Sequence, residues 1–216
     1  MHLKRMAAPK SWNLLRKEKK YVVKPLPGKH SLKNCLSVAH ALKAIGLASE
    51  TRSLKKSLNA NPVIIDGLPV KEYKQQAGLF DTIQMAGKNY RVVMTKGGML
   101  TIKESKGALK PCRVERKITT KGGKTQIGLS DGRTIIWKEG ELKTGDSLLL
   151  EVPSQKIKGH SKIEKGSKIL VLSGKSAGVT GIITEINDKI VKYSSENMKS
   201  STSKDNIFVI PEGFEE

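Results

Sequence analysis

The sequence predicts an α+β, multi-module chain. A basic N-terminal arm occupies residues 1–30 and a small helix–helix–sheet module 31–88; a central all-β domain follows at 89–158 and a small C-terminal β barrel at 159–216. Three observations carry this reading. Apolar residues recur with a helical period only between residues 32 and 59. From Asn89 onward, turn signals separate short β-patterned runs about every 8 to 12 residues. Cations are in excess, with 40 Lys and Arg against 20 Asp and Glu, a formal charge of +20 that adds only self-repulsion to a compact fold.

The arm comes first. Pro9, Pro25 and Pro27 break helices, and Lys4, Arg5, Lys10, Arg16, Lys17, Lys19 and Lys20 crowd the segment. Only Trp12, Leu14, Leu15, Tyr21 and the valines beside it offer anchors. That composition predicts an arm disordered on its own and ordered by folding against a partner. Next, Val38, Ala41, Leu42 and Ile45 follow an i, i+3, i+4, i+7 rule, so a helix is expected over 32–45, ended by Gly46. A second helix is expected over 50–59, with Ser49 as its cap and Glu50 in its first turn. Leu54 and Leu58 lie at i, i+4 on one face, while Arg52, Lys55 and Lys56 gather on another. The first face can enter a core; the second is either solvated or meets an anion. "PVIID" then reads as a strand, "GLPV" as a turn and return, and "LFDTIQM" as a further strand.

In the central domain, "NYRVVMT" and "MLTIKE" flank Lys96-Gly97-Gly98, a hairpin signal. "CRVERKITT", "KTQIGLS" and "RTIIWKE" follow, separated by Lys121-Gly122-Gly123 and by Asp131-Gly132. "SLLLEV" closes the domain, and the polar stretch "PSQKIKGHSKIEKG" reads as a linker. "SKILVLSG", "GVTGIITEI", "DKIVKYS" and "NIFVIPEG" supply four or five short strands, enough for a small SH3-like barrel.

Composition narrows the function. A polyanion is the partner that best accounts for the charge, and nucleic acid is the commonest polyanion. No stretch approaches the roughly 20 apolar residues of a membrane span, and the start "MHLKRMAAPKSW" lacks the apolar core of a secretory signal. Cys35 and Cys112 stand far apart and read as small core residues of a reducing compartment, with neither disulfide nor zinc spacing. His2, His30, His40 and His160 show no ligand spacing, and the carboxylates are scattered, so neither metal nor cofactor nor catalysis is expected. Aromatic residues make up 4%, too few for binding single strands by repeated base stacking, which leaves phosphate charge and RNA shape as the basis of recognition.

Gly174-Lys175-Ser176 resembles the tail of a phosphate loop. That motif needs a glycine where Ile169 stands and a helix where "GVTGIITEI" is β-patterned, so a nucleotide site is excluded. Gly174, Gly178 and Gly181 instead allow a sharp loop between strands with Lys175 at its tip, a contact for an RNA phosphate or simply a flexible hairpin. The stretch "IEKGSKILVLSGKSAGVTGIITEI" resembles a KOW module, as found in ribosomal proteins and transcription elongation factors. The resemblance puts Lys175, Ser176 and Gly178 in an RNA-facing loop and Gly181 at a strand start.

"LKNCLSVAHALKAIGLASETRSLKKSLNANPVIIDGLPVKEYKQQAGLFDTI" is similar to the small RNA-binding module shared by a bacterial-type small-subunit ribosomal protein, pseudouridine synthases and tyrosyl-tRNA synthetases. Thr51, Arg52, Lys55 and Lys56 match its RNA-gripping helix face, and Val63 to Gly67 and Gly78 to Ile83 match its sheet. Leu54 departs from the small residue found in many relatives. With "HLKRMAAPKSW" and "NIFVIPEG" added, the whole chain resembles the S-four-e family of archaeal and eukaryotic small-subunit ribosomal proteins; the early stop after "NIFVIPEG" points to an archaeal source.

The resemblance implies a structural, non-enzymatic protein of the cytoplasmic ribosome. Its partners would be small-subunit rRNA and neighbouring ribosomal proteins, with no membrane and no small-molecule substrate. The implied RNA-binding residues are His2, Lys4, Arg5, Lys10, Trp12, Arg16 and Lys17 in the arm, with Trp12 either stacking on a base or packing on the body. Thr51, Arg52, Lys55 and Lys56 follow on the second helix, and Lys175, Ser176 and Gly178 in the loop. Two other readings stay open: a KOW-containing transcription elongation or antitermination factor, and the RNA-binding part of an RNA-modifying enzyme. Against the latter, residues 90–216 are short and rich in hairpins for a catalytic domain.

Overall fold

A computed structural model describes residues 2–15, 17–47, 50–85, 87–105, 107, 109–137, 140–195 and 198–214. These are mostly β, with two α-helices, and divide into two units. The first takes in the described residues up to 95 and from 99 to 107; the second takes 96–98 and those from 109 onward.

The arm belongs to the first unit. Strand β1 (Leu3–Lys4) pairs antiparallel with β2 (Tyr21–Val22). Between them Trp12 enters the apolar core, 2% exposed, and its indole N–H donates to the Cys35 carbonyl at 2.7 Å. The Leu100 amide donates to the Ser11 carbonyl and the Ser11 hydroxyl to the Lys33 carbonyl, both at 2.7 Å. An arm disordered in isolation is therefore corrected to one folded on its own body. Composition weighs every lysine equally, whereas burying one indole removes roughly 200 Å² from water, about 5 kcal/mol. Leu3, Leu14, Val22 and Val23 pack beside it. Leu15 and Tyr21, expected as anchors, are exposed instead.

The helix expected over 32–45 is shorter. Residues Leu32–Asn34 form a 3-10 turn, β3 (Cys35–Ser37) pairs with Gln76–Gly78, and only α1 (Val38–Ala44) is helical. The Ser37 side chain caps α1 by accepting from the His40 amide, and the Val38 and Ala39 amides donate to the carbonyls of Gln75 and Tyr73. The helix closes with Gly46 N–H donating to the Lys43 carbonyl and Leu47 N–H to that of Leu42, a Schellman ending. Burial, with Asp81 second, pushes the Cys35 thiol up to about 11, so it packs as a neutral group. Cys112 is likewise buried and takes part in no disulfide.

Helix α2 (Thr51–Ala60) has Glu50 at its N-cap rather than in its first turn; the expected cap, Ser49, lies outside the described residues. Leu54 and Leu58 are fully buried. Strands β4 (Val63–Ile65) and β5 (Leu68–Val70) join through Asp66-Gly67, a two-residue turn with φ of 50° and 78°. The buried Asp66 carboxylate accepts from the Thr82 amide at 3.0 Å. Strand β6 (Gln76–Gly78) follows, and β7 (Thr82–Met85) starts later than expected. Phe80 takes φ of 64°, and the Asp81 carboxylate turns back to accept from the Gly78 amide at 2.8 Å. The hairpin of β8 (Lys88–Thr95) and β9 (Met99–Glu104) pairs with β7, giving the sheet order β5-β4-β7-β8-β9. The hairpin, placed by the sequence in the domain after 88/89, thus shares a sheet with the first unit's strands.

In the second unit, β10 (Leu109–Thr119), β11 (Thr125–Leu129), β12 (Thr134–Trp137), β13 (Ser147–Glu151) and β14 (Lys156–Ser161) form a sheet ordered β12-β11-β10-β13-β14. The "linker" thus contains β14, whose polar residues pair with β13 at the sheet edge. A second sheet, β18-β17-β16-β15-β19, uses β15 (Lys168–Val171), β16 (Thr180–Ile186), β17 (Ile190–Ser195), β18 (Met198–Ser203) and β19 (Ile207–Val209). The edge strand β18, "MKSSTS", has no apolar alternation and left no signal in the sequence. Ile169, Val171, Ile183, Val191, Tyr193, Ile207 and Val209 form its core. Gly181 sits where a Cβ would come within 2.8 Å of the Ser194 carbonyl oxygen, so the strand requires glycine there.

One buried ion cluster stabilises the second unit. Lys110 Nζ lies 3.2 Å and Arg133 Nε 3.3 Å from Asp131 Oδ2, with Lys110 1% and Asp131 2% exposed. Burial alone raises the pKa of Asp131, but the Lys110 and Arg133 charges outweigh it and hold the carboxyl below its ordinary range. A carboxylate depressed in the folded state stabilises fully above its unfolded pKa of about 4, and that stability is lost as pH falls through the folded value.

Two outcomes are expected. Trp12→Ala should cost about 3–5 kcal/mol in thermal unfolding and expose residues 1–30 to limited proteolysis. Asp131→Asn should destabilise the second unit by about 3–5 kcal/mol at neutral pH by leaving Lys110 buried without its carboxylate. Its stability should also fall less steeply than the parent's in acid titrations below about pH 4.

Candidate nucleic-acid interface

Helix α2 orients the most compact group of candidate residues. With Leu54 and Leu58 fixed in the core, a period of 3.6 turns Arg52, Lys55 and Lys56 outward, and all three are exposed. Lys55 Nζ sits 5.0 Å from the Tyr73 ring centroid, and Lys74 Nζ 5.5 Å from the same centroid. Thr51 is half-buried at the start of the helix and lines a groove of about 500 Å³ against the arm. The groove wall also carries His2, Tyr21, Lys24, Tyr73 and Lys74, and no lining residue is acidic.

The arm residues take different roles. His2, Lys4, Lys10 and Lys17 are exposed, with Lys4 paired in register with Tyr21 and Lys17 at φ of 69°. Arg5 is half-buried, and its guanidinium donates to the carbonyls of Leu14 and Leu15 while its backbone amide donates to that of Lys20. It clamps the arm's loop, a place in the fold that the sequence, which put Arg5 among the RNA-binding residues, did not show. Trp12 is in the core with no ring face available to a base, so the packing alternative describes its place. Arg16 lies outside the described residues.

In the second unit, the loop between β15 and β16 exposes Lys175, half-buries Ser176 and buries Gly178. Gly178 has φ of 79°, and its amide donates to the Val171 carbonyl at 2.7 Å. It turns the chain there, and Lys175 is an exposed side chain of the loop.

Sequence reasoning missed Tyr73, Lys74 and Lys24. "EYK" and "VVK" each place a lysine near an aromatic or apolar residue, but nothing local says that residues 21–27 and 73–74 meet. Among the described residues no group of His, Cys, Asp and Glu could hold a metal, and no helix is long and apolar enough to cross a membrane. The arrangement offers exposed cations beside apolar and aromatic surface, which suits binding of a polyanion.

Comparison with known proteins gives two matching family descriptions: the RS4NT (NUC023) domain over residues 1–33 and ribosomal family S4e over 86–157. The chain is 36% identical to the small ribosomal subunit protein eS4 of Methanocella arvoryzae, covering 96% of this chain and 89% of that protein. It is 35% identical to the same-named protein of Methanocaldococcus jannaschii, covering 97% and 93%. The crystal structure of 30S ribosomal protein S4e from Thermoplasma acidophilum superposes with a TM-score of 0.73 at 28% identity, over 83% of this chain and 96% of that one.

Proposed function

This chain belongs to ribosomal family S4e, and we propose that its exposed cations are the means by which it holds small-subunit rRNA in shape. A structural role in the small ribosomal subunit follows from the family, whose curated archaeal members carry that name. The reading places it on the ribosome, in the cytoplasm, among neighbouring small-subunit proteins, and gives it no reaction to catalyse.

The observation that carries the proposal is the division of α2. Leu54 and Leu58 are buried while Arg52, Lys55 and Lys56 are exposed. On this reading those three cations and Thr51 grip phosphates, with His2, Lys4, Lys10 and Lys17 extending the contact along the arm. Residues 31–88 act as the S4-like RNA-binding module. Residues 159–216 act as a KOW-type SH3-like barrel, touching RNA through Lys175 and Ser176. Recognition is of A-form geometry and irregular junctions more than of base sequence.

Two measurements test this. The protein should cosediment with small subunits through a high-salt wash; recovery only with RNA polymerase would favour an elongation factor and overturn the assignment. Replacing Arg52, Lys55 and Lys56 together by Glu should weaken binding to purified small-subunit rRNA at least about a hundredfold. The slope of log K against log salt should fall by about 3, with the thermal midpoint unchanged. Unchanged affinity at moderate salt would remove α2 from the interface.

A further inference from the structure

The groove between the arm and α2 combines features that phosphate binding alone does not need. Tyr21 is 50% exposed, and every other Trp, Tyr and Phe of this aromatic-poor chain is buried or half-buried. A solvent-facing tyrosine in a two-residue strand contributes little to the core, yet it has close company: Lys20 Nζ is 5.6 Å from its centroid, and the His2 ring lies 5.3 Å away at 48°. Tyr73 lines the same groove, with Lys55 and Lys74 near its ring. Pro25 and Leu26 make part of the wall between them apolar. At about 500 Å³ the groove is large enough for one nucleotide.

Resting on the rRNA-binding reading above, we infer that this groove receives one unpaired nucleotide of small-subunit rRNA. Its base lies on the aromatic and apolar wall formed by Tyr21, Tyr73 and Leu26. Its phosphate is met by the lysines at the rim, Lys20, Lys55 and Lys74. Charge complementarity supports this occupant over an acidic or apolar peptide: the lining carries lysines and no carboxylate, while a base supplies the flat π surface that an exposed tyrosine matches. The duplex regions gripped by α2 present no such surface, because their bases are stacked. The groove therefore reads a local irregularity, and sets the register of the whole protein on its RNA.

The experiment uses the full chain bound to purified small-subunit rRNA. Tyr21→Leu keeps apolar bulk without a π face and should weaken binding roughly tenfold, with the salt slope unchanged, while Tyr21→Phe should bind like the parent. Zero-length ultraviolet cross-linking followed by mass spectrometry should join Tyr21 or Tyr73 to a single nucleotide. In assembled small subunits the same cross-link should form. Equal affinity of Tyr21→Leu and parent, a cross-link spread over many nucleotides, or one to a neighbouring protein would each overturn the inference while leaving rRNA binding intact. Failure of the parent itself to bind rRNA would instead overturn the reading beneath it.

Discussion

The burial of Leu54 and Leu58 is the constraint from which the candidate interface follows. Two leucines one helical turn apart leave α2 a single rotation about its axis, and that rotation decides where every other side chain on the helix points. Three cations brought together on one face repel one another. The helix accepts this because the apolar contact is not screened by water, whereas repulsion between exposed charges is modest at physiological salt. A surface arranged in this way is a poor end in itself and a good template for phosphates.

Trp12 does for the arm what the leucines do for the helix. Its indole fills the same core and takes the Cys35 carbonyl, so a segment with nine basic residues and one glutamate is held against the body before any partner arrives. Arg5 shows the cost of reading such a segment by charge alone. Its guanidinium is engaged by two backbone carbonyls, whereas Lys4 and Lys10 are exposed. Preorganisation of this kind reduces the ordering entropy that a loose tail would lose on binding.

Much of this was legible from residues alone, for physical reasons. The leucine spacing of α2, the Asp66-Gly67 turn and the alternation of Val191 and Tyr193 are local signals, and local signals survive in a linear text. What escaped was set by contacts distant in sequence. Cys35–Ser37 pairs with a strand some forty residues away, so its apolar residues were assigned to the following helix. The pairing of the hairpin 88–104 with β7 left no local signal, because β7 precedes it across an unremarkable turn. The polar strands β14 and β18 carry no apolar period, since an edge strand can be held by its backbone alone. In the candidate interface, the cations on α2 were visible from their spacing, whereas the groove that Tyr21 and Tyr73 both line exists only once the arm has folded back.

The hydroxyl-rich edge strand β18 also bears on the life of the chain before it reaches its partner. A terminal strand offers unpaired backbone groups to any passing polypeptide, and five of the six residues of Met198–Ser203 are Lys, Ser or Thr. Such a border gives an intruding strand hydrogen bonds but no greasy strip to bury, and Lys199 would set a charge against its own copy. This edge is therefore guarded against strand-to-strand joining, which suits a component synthesised apart from the particle it joins.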